Sequence, residues 1–257
     1  MVIGGRDSGS VEENVEEVGG LYMEIKKLAV ITARGGSKRI PNKNIKNFCG
    51  KPILAYSIDA ALQSGVFDEV MVSTDSEEIA EVAVKYGASV PFMRSAKNSD
   101  DFATTKDVLL EVFGKYIELG HDLEYACCIY PTAPFITADK IREGREQLNR
   151  DNVYMVNPIV KFSFPPQRGL VIDENNIIQL KWPENRDRRS QDLENIYHDC
   201  GQFYWYNVKE FMKRDGIMDG FSAPVIVDDL YVQDIDNESD WEIAEMKYRI
   251  LKEKKLI

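Results

Sequence analysis

Residues 31–44, ITARGGSKRIPNKN, place a basic, glycine-containing loop directly after an apolar run. The run, Leu28–Ala33, is apolar except for Thr32, which is typical of a strand covered on both faces of a sheet. Gly35 and Gly36 let backbone N–H groups approach an anion closely. In open α/β sheets the ligand crevice lies beyond the carboxyl ends of the strands. The loop is therefore predicted to bind a polyphosphate through its four basic side chains: Arg34, Lys38, Arg39 and Lys43.

Two observations favour phosphate binding over a solvated basic turn. The loop comes directly after the first predicted strand, and the chain has a net charge of −11 with no equally dense basic cluster near another predicted sheet edge. The loop matches neither the G-x-x-x-x-G-K-[ST] nor the G-x-G-x-x-G pattern of nucleotide-binding loops. Its phosphate donors are therefore expected to be the basic side chains, the Ser37 hydroxyl and the N–H groups around Gly35.

The composition excludes several classes of function. With 257 residues, 44% hydrophobic and 29% charged, the chain is typical of a globular protein with one large domain, or with one domain that carries a smaller appendage. It contains no apolar run near the ~18 residues of a membrane span, and its acidic charge argues against nucleic acid as a general partner. Residues 1–22 lack the basic start and apolar middle of a signal peptide. We interpret them as a disordered leader or a start-site artefact.

The cysteines and histidines do not form a metal-binding pattern. The four cysteines and two histidines contain no C-x-x-C or H-x-x-x-H spacing. Cys127 and Cys128 are adjacent on a predicted strand, so their side chains point to opposite faces and cannot share a metal ion. We therefore expect reduced core thiols, as in a cytoplasmic protein.

Strand-like and helix-like segments alternate along the first 157 residues. Apolar runs predict the strands, and a 3.6-residue periodicity with capping residues predicts the helices between them. The predicted strands are 28–33, 69–73, 88–92, 125–130 and 152–157. The predicted helices begin at Pro52, at a capping box of Asp75 and Glu78, at Thr104 or Thr105, and at Thr137. Five successive β-α units imply a three-layer α/β fold with a mostly parallel sheet.

The alternation stops after the fifth predicted strand. Prolines and scattered aromatic residues at 158–201 predict hairpins or an extended arm rather than another βαβ unit. Two more strands are predicted at 202–206 and 224–227, and a terminal helix buries a stripe formed by Trp241, Ala244, Tyr248 and Leu251. We therefore divide the chain into a main domain, formed by 23–157 and 202–257, and an arm, formed by 158–201.

Five motifs follow one another in a recognisable order. They are ARGGSKRIPNKN at 33–44, FCGKPILAYS at 48–57, VSTD at 72–75, YPTAP at 130–134 and QDID at 233–236. Together they resemble the motifs of the acylneuraminate cytidylyltransferases, which activate nonulosonic (sialic-type) sugars with CTP. The segments RSQDL at 189–193 and YHDCG at 197–201 are most similar to the pseudaminic acid cytidylyltransferases in that family. The resemblance implies a Rossmann-like nucleotidyltransferase domain and a homodimer in which 158–201 is the dimerisation arm.

The resemblance also implies roles for the residues at matching positions. The nucleotide is expected to contact Arg34, Gly35, Ser37, Lys43, Asn44, Arg94, Thr104 and Thr105. The sugar is expected to contact Tyr130, Arg189, Gln191, Tyr197, His198 and Asp199. Tyr130 stands where the sialic acid enzymes usually carry Gln, which speaks against N-acetylneuraminate as the substrate. For His198, a hydrogen-bonded structural role is an equal alternative.

A pair of carboxylates near the C-terminus suggests a metal ion. Asp234 and Asp236 flank Ile235, so on an extended chain both carboxylates lie on one face. A solvated acidic turn is the alternative interpretation, because D-x-D alone discriminates poorly. Mg²⁺ prefers one or two carboxylates together with phosphate oxygens and water. Beside a triphosphate-binding loop, the pair is therefore predicted to hold Mg²⁺ as the cofactor.

The reaction implied by the resemblance is attack of the sugar's anomeric hydroxyl on the α-phosphate of CTP, with release of pyrophosphate. Its catalytic residues are expected to be Arg34, Lys43, Asp234 and Asp236. Arg34, Lys43 and the Mg²⁺ held by the two aspartates would neutralise the negative charge that grows on the phosphate. The residues do not decide whether Asp234 or a hydroxide on the metal accepts the sugar proton.

Other substrates and other classes of protein remain open. Pseudaminic acid is the first expectation for the sugar, with N-acetylneuraminate and legionaminate as alternatives. The loop sequence IPNKN at 40–44 argues against the 3-deoxy-manno-octulosonate enzyme, whose loop usually reads R-L-P-G-K-P. A sugar-nucleotide-dependent glycosyltransferase would use the two aspartates to hold a diphosphate, and a non-catalytic protein with a decayed site is a third alternative.

Overall fold

The computed structural model describes residues 24–257, so the predicted leader at 1–22 lies outside the described residues. Strands and helices alternate over most of this range. In chain order they are β1 Lys27–Thr32, β2 Asn47–Phe48, β3 Lys51–Pro52, α1 Ile53–Ser64, β4 Glu69–Ser73, α2 Glu77–Lys85, α3 Thr105–Glu118, β5 Tyr125–Ile129, α4 Ala138–Gln147, β6 Met155–Lys161, β7 Leu170–Ile172, β8 Ile178–Leu180, β9 Tyr197–Asp199, β10 Phe203–Asn207, α5 Val208–Lys213, β11 Ser222–Ile226 and α6 Glu238–Glu253.

The central sheet has the order β11-β6-β10-β5-β1-β4, with β9 also paired to β6. β1 runs parallel to β4 and β5, and β11 runs parallel to β6, which confirms the predicted α/β fold with a mostly parallel sheet. β10 is antiparallel to both of its neighbours, because the chain returns to the sheet through β9 and a turn rather than through a helix. None of the helices within residues 24–257 is both long and apolar enough to cross a bilayer.

Successive residues of β1 enter opposite sides of the sheet. Ala29 and Ile31 pack in the core beneath α1, α2 and α4, whereas Leu28 and Val30 pack in the core beneath α3 and α5. All four side chains are fully buried. Burying each of the larger ones stabilises the fold by roughly 1.5–3 kcal/mol relative to exposure. Because β1 is held from both sides, its carboxyl end is a fixed starting point for the basic loop.

The two adjacent cysteines of β5 follow the same alternation. Cys127 lies in the core with Ala29 and Ile31, and Cys128 lies in the core on the opposite face. Both thiols are free and buried, and Cys200 is free and buried as well. The prediction of core thiols on opposite faces of this strand is therefore confirmed.

The terminal helix α6 closes the fold next to the basic loop. Trp241 packs edge-on against Phe48 with ring centroids 5.5 Å apart, and Leu251 is fully buried in the same cluster. Lys46 pairs with Glu238 at 2.7 Å and lies over the Trp241 ring. This packing places the chain segment before α6, which contains the two aspartates, beside the loop after β1.

The predicted strand at 88–92 is wrong. Only Ser89 pairs with the sheet edge: its N–H donates to the Val70 carbonyl, and its carbonyl accepts from Val72. Pro91 follows two residues later and has no N–H, so it cannot extend the ladder.

The cap of α2 also differs from the prediction, because Ser76 rather than Asp75 accepts a hydrogen bond from Ile79 N. Thr104 and not Thr105 caps α3, in a reciprocal capping box with Asp107.

The segment predicted as an arm is joined to the sheet at both ends. β6 continues to Lys161, and β9 begins at Tyr197 and pairs with it. Between them the chain forms the hairpin of β7 and β8, where Leu170 faces Leu180 and Ile172 faces Ile178. The hairpin prediction is confirmed, and its role in dimerisation stays a prediction.

Candidate active site

A cavity of about 440 Å³ opens at the carboxyl end of β1, where the sequence predicts the phosphate site. The structure brings nine of the predicted site residues to its wall: Arg34, Ser37, Lys38, Arg39, Lys43, Asn44, Thr105, Tyr130 and Asp236. Three other lining residues were not predicted to belong to the site: Thr32, Pro131 and Thr132. Local sequence could have indicated them, because they belong to the end of β1 and to the YPTAP turn.

Two side chains hold the basic loop in shape. Asp75, at the end of β4, accepts a hydrogen bond of 2.8 Å from Gly35 N–H. Buried Asn44 donates to the Arg34 carbonyl at 2.8 Å. A Cβ atom at Gly35 would lie 3.1 Å from the Cβ of Ser76, so the loop passes α2 closely at this point. The structure does not place Gly35 in the cavity wall, because its N–H group faces Asp75.

The cationic side chains of the loop are matched by carboxylates from distant segments. Arg34 Nη1 pairs with Asp101 Oδ1 at 3.0 Å, and Lys38 pairs with the other oxygen of the same carboxylate. Arg39 pairs with Asp236 Oδ1 at 2.7 Å. These contacts join residues 63 to 197 positions apart in the chain, so no local sequence signal indicates them.

Lys43 connects the basic loop to the segment of the two aspartates. Its Nζ donates to the Ile235 carbonyl at 2.7 Å. Burial lowers the pKa of the Lys43 ammonium, and the negative charges of Asp236 and Asp234 partly oppose this effect. The ammonium therefore lines the basic cavity and lies within electrostatic reach of both aspartates.

The two aspartates keep the predicted alternation around a buried residue. Ile235 is buried in the cluster with α6, whereas Asp236 is partly exposed and Asp234 is exposed. Asp236 lines the basic cavity, and Asp234 lines a neighbouring cavity together with His198 and Asp199. Within residues 24–257, no group of three or more His, Cys, Asp or Glu side chains forms a complete metal site. Two carboxylates suit an ion that takes its other ligands from phosphate and water.

The structure ties Arg94 to the backbone outside the wall of the basic cavity. Its guanidinium is buried and donates to Ser73 Oγ at 3.0 Å and to the Ser73 carbonyl. Burial lowers the pKa of Arg94, and the nearby Asp75 carboxylate opposes this shift. Arg94 therefore braces the end of β4, next to the aspartate that holds the basic loop. Thr104 is engaged in capping α3, and Thr105 is the threonine that reaches the cavity.

A chain of polar side chains connects the two cavities. The hydroxyls of Thr105 and Tyr130 lie 3.4 Å apart, and the ring of Tyr130 lies 5.4 Å from the ring of Tyr204. Tyr204 donates its hydroxyl proton to Asp199 Oδ1 at 2.6 Å, and Gly201 N–H donates to the same oxygen. Burial raises the pKa of the Tyr204 phenol, so it stays a donor at neutral pH. The sequence analysis predicted only that Tyr204 lies on the strand at 202–206, because a strand pattern does not indicate which polar groups a side chain meets.

The remaining predicted sugar residues do not share one cavity. The His198 ring packs at a tilt against the Phe162 ring, with ring centroids 4.6 Å apart, and lines the cavity of Asp234 and Asp199. Gln191 lines a separate groove beside the hairpin segment. Arg189 pairs with Asp192 at 2.7 Å on the surface, and Tyr197 lies on β9. Within this chain, Arg189, Gln191 and Tyr197 are therefore outside the two connected cavities.

Comparisons with known proteins agree with this fold and identify a family. The family model described as Cytidylyltransferase matches residues 28–168. The pseudaminic acid cytidylyltransferase of Campylobacter jejuni is 39% identical over 226 residues, which cover 88% of this chain and 97% of that protein. The CMP-N,N'-diacetyllegionaminic acid synthase of Legionella pneumophila is 34% identical and covers 85% of this chain and 94% of its own.

A solved structure of CMP:2-keto-3-deoxy-manno-octonic acid synthetase complexed with CTP has the same fold. It matches with a TM-score of 0.62 at 17% identity and covers 89% of this chain and 99% of that one. At this identity the likeness concerns the fold alone. The family model, in contrast, covers more than half of this sequence and includes the whole basic loop after β1. On these grounds the chain belongs to the cytidylyltransferase family.

Proposed function

We propose that this protein transfers CMP from CTP to the anomeric hydroxyl of a nonulosonic acid, most specifically pseudaminic acid, and releases pyrophosphate. One observation supports this function above the others. The basic loop after β1 and Asp236 of the carboxylate pair, almost 200 residues apart, line one cavity. The Campylobacter jejuni relative, named a pseudaminic acid cytidylyltransferase, matches nearly its whole length to this chain.

The residues of the cavity suit stabilisation of a phosphoryl-transfer transition state. A planar guanidinium such as that of Arg34 binds two phosphate oxygens at once, and the Lys43 ammonium adds a point charge. As the sugar hydroxyl attacks the α-phosphorus, negative charge grows on the oxygen that bridges to the β-phosphate. Fixed cations beside this oxygen stabilise the transition state more than the substrate, which raises the rate.

We propose Mg²⁺ as the cofactor, held by Asp234 and Asp236. The donor set supports this choice, because both side chains offer oxygen ligands and Mg²⁺ completes its shell with phosphate oxygens and water. When bound, the ion supplies further positive charge to the triphosphate. Ile235 is buried between the two aspartates and anchors the backbone that carries them.

We propose that the cavity next to the basic cavity determines which sugar the protein accepts. Asp199, His198 and Asp234 line it, and Tyr204 connects it to Tyr130 in the nucleotide cavity. Legionaminate and N-acetylneuraminate remain the alternative sugars, and the Legionella pneumophila relative named a legionaminic acid synthase supports the first of them.

A coupled assay of pyrophosphate release tests the function. The protein is incubated with Mg²⁺, with CTP, UTP, ATP or GTP, and with pseudaminic, legionaminic or N-acetylneuraminic acid. We expect pyrophosphate only when CTP and a nonulosonic acid are both present, and the highest kcat/KM with pseudaminic acid. Transfer of a sugar from a sugar nucleotide, without pyrophosphate release, would instead identify a glycosyltransferase.

We predict that Tyr204→Phe weakens use of the sugar and leaves use of CTP nearly unchanged. The variant removes the hydroxyl that donates to Asp199 but keeps the ring beside Tyr130. A hydrogen bond to a charged group is worth about 1.5–3 kcal/mol, so KM for the sugar should rise roughly 10-fold or more. Steady-state kinetics with each substrate varied in turn measure both constants. Tyr154→Phe, whose ring packs against Phe221 and Arg214 rather than against the site, serves as the control, and equal changes in both KM values would contradict the prediction.

We propose that the hairpin of β7 and β8 binds a second copy of this chain. Leu170, Ile172 and Ile178 lie on one face of the hairpin and are 61%, 67% and 64% exposed. An isolated two-stranded sheet with an uncovered apolar face is marginally stable in water. The family resemblance supports a homodimer, in which the same hairpin of the partner would cover this face.

We predict that Ile172→Glu converts the dimer to a monomer. An unpaired carboxylate buried in the apolar interface costs more than about 3 kcal/mol, so the dissociation constant should rise at least about 100-fold. Sedimentation-velocity centrifugation across a micromolar concentration range measures this change. Ile172→Val, which keeps the apolar surface, should remain dimeric. A monomeric unaltered protein, or a variant that dimerises equally well, would refute the proposed interface.

We further propose a cytoplasmic location. Cys127, Cys128 and Cys200 are free thiols buried in the core, which suits a reducing compartment. A nucleoside triphosphate substrate is consistent with the same compartment.

A further inference from the structure

The carboxylate of Asp101 occupies two cations of the basic loop at once. Arg34 Nη1 pairs with one of its oxygens at 3.0 Å, and Lys38 Nζ pairs with the other. Arg34 also donates to the neighbouring Asp100 carbonyl at 3.1 Å. Asp101 therefore presents two anionic oxygens to the same side chains that are proposed to bind a phosphate group.

The backbone around Asp101 is fixed, whereas its side chain is open to water. The Asp100 carboxylate accepts the N–H groups of Phe102 and Ala103 at 2.9 and 2.8 Å, and α3 begins immediately afterwards behind its Thr104 cap. The Asp101 side chain itself is 44% exposed. Ion pairs of such exposed groups are weak, so a polyphosphate can replace the carboxylate without disturbing the fold.

We infer that Asp101 is an internal competitor for the phosphate site, an inference that rests on the proposed function. Asp101 positions Arg34 and Lys38, and it must release both cations when a polyphosphate binds. Any binding energy that the substrate and the transition state share equally lowers KM without raising kcat. The cations of the basic loop offer part of the same affinity to the pyrophosphate product. The competing carboxylate reduces this shared affinity, and it re-engages both cations as pyrophosphate leaves. Asp101 thereby limits inhibition by the product.

The inference predicts an effect of unusual sign: removal of a charged residue at the site should tighten ligand binding. Asp101→Asn keeps the shape of the side chain and removes its charge. Isothermal titration calorimetry with inorganic pyrophosphate, in EDTA and at low ionic strength, measures binding to this variant and to the unaltered protein. We expect about fivefold tighter binding by Asp101→Asn, and a similar decrease of the inhibition constant of pyrophosphate in the assay with CTP.

Three further variants make this test specific. Asp101→Glu keeps the carboxylate and should bind pyrophosphate within about twofold of the unaltered protein. Asp101→Ser repeats the charge removal with a different side chain, in case Asp101→Asn is poorly folded by thermal melting. Asp122→Asn removes an equal charge from the surface pair with Lys209 and should leave the affinity unchanged.

The outcomes separate this inference from the proposed function. If the unaltered protein binds pyrophosphate but folded Asp101→Asn and Asp101→Ser bind it equally or more weakly, Asp101 merely supports the loop and the inference is wrong. If Asp122→Asn tightens binding as much, the effect is one of net charge and the inference is also wrong. If the unaltered protein does not bind pyrophosphate at all, the basic loop is not a phosphate site and the proposed function fails as well.

Discussion

Asp236→Asn is expected to lower kcat by about two to three orders of magnitude. The amide keeps the size of the side chain, but it loses the charge that would hold Mg²⁺ and that now pairs with Arg39. Removing one electrostatic contact to a developing phosphate charge costs about 3–4 kcal/mol in the transition state. The backbone N–H of Asp236 still donates to Asp240, so the start of α6 should be unaffected. Pyrophosphate release at saturating substrates measures kcat.

Metal-free binding of CTP distinguishes a catalytic loss from a folding defect. Arg34, Ser37 and Lys43 remain in Asp236→Asn, so we expect CTP to bind in EDTA as it does to the unaltered protein. Glu238→Gln removes an equal charge two residues away, where the carboxylate pairs with Lys46, and should change kcat less than twofold. Normal turnover by Asp236→Asn in Mg²⁺ would show that the metal assignment is wrong.

Lys43→Met is expected to lower kcat/KM for CTP by about two to three orders of magnitude. Methionine preserves most of the buried stem but cannot donate to phosphate or to the Ile235 carbonyl, which Lys43 now contacts at 2.7 Å. The loss therefore combines a missing charge in the transition state with a looser connection to the two aspartates. Steady-state kinetics with varied CTP provide the measurement. The exposed Lys85 of α2 offers a control, since Lys85→Met should leave kcat/KM unchanged.

The pH dependence of kcat/KM tests the role of Lys43 independently. Burial lowers the pKa of Lys43 from the ordinary 10.5. The charged form, which phosphate binding requires, exists below this lowered pKa and is lost as the pH rises through it. We expect kcat/KM for CTP to fall on the alkaline side before an ordinary lysine would titrate. In Lys43→Arg the guanidinium stays charged, so this alkaline decrease should vanish even if the overall rate is lower. An unchanged alkaline limb would exclude Lys43 as its source.

Local sequence signals predicted the parts of the site that are close in the chain. The apolar run of β1 is followed by the basic loop, and Thr104 begins α3 with its own capping box, because these features depend on neighbours within a few residues. Ile235 is buried, which likewise confirms that its neighbours Asp234 and Asp236 face outward. By contrast, the segment 88–92 forms a single β-bridge and no strand. The segment is apolar, but Pro91 lacks the N–H group that a further ladder hydrogen bond would need.

The sequence alone determined that a cationic glycine loop follows a doubly buried strand, because hydrophobic periodicity and backbone stereochemistry are local properties. The tertiary structure determined which carboxylate side chains contact that loop. Asp75, Asp101 and Asp236 come from three different parts of the chain and each bonds the loop directly. It also decided that β10 enters the sheet antiparallel and carries Tyr204 between the two cavities. Such pairings depend on how distant segments pack together, and no short stretch of residues contains that information.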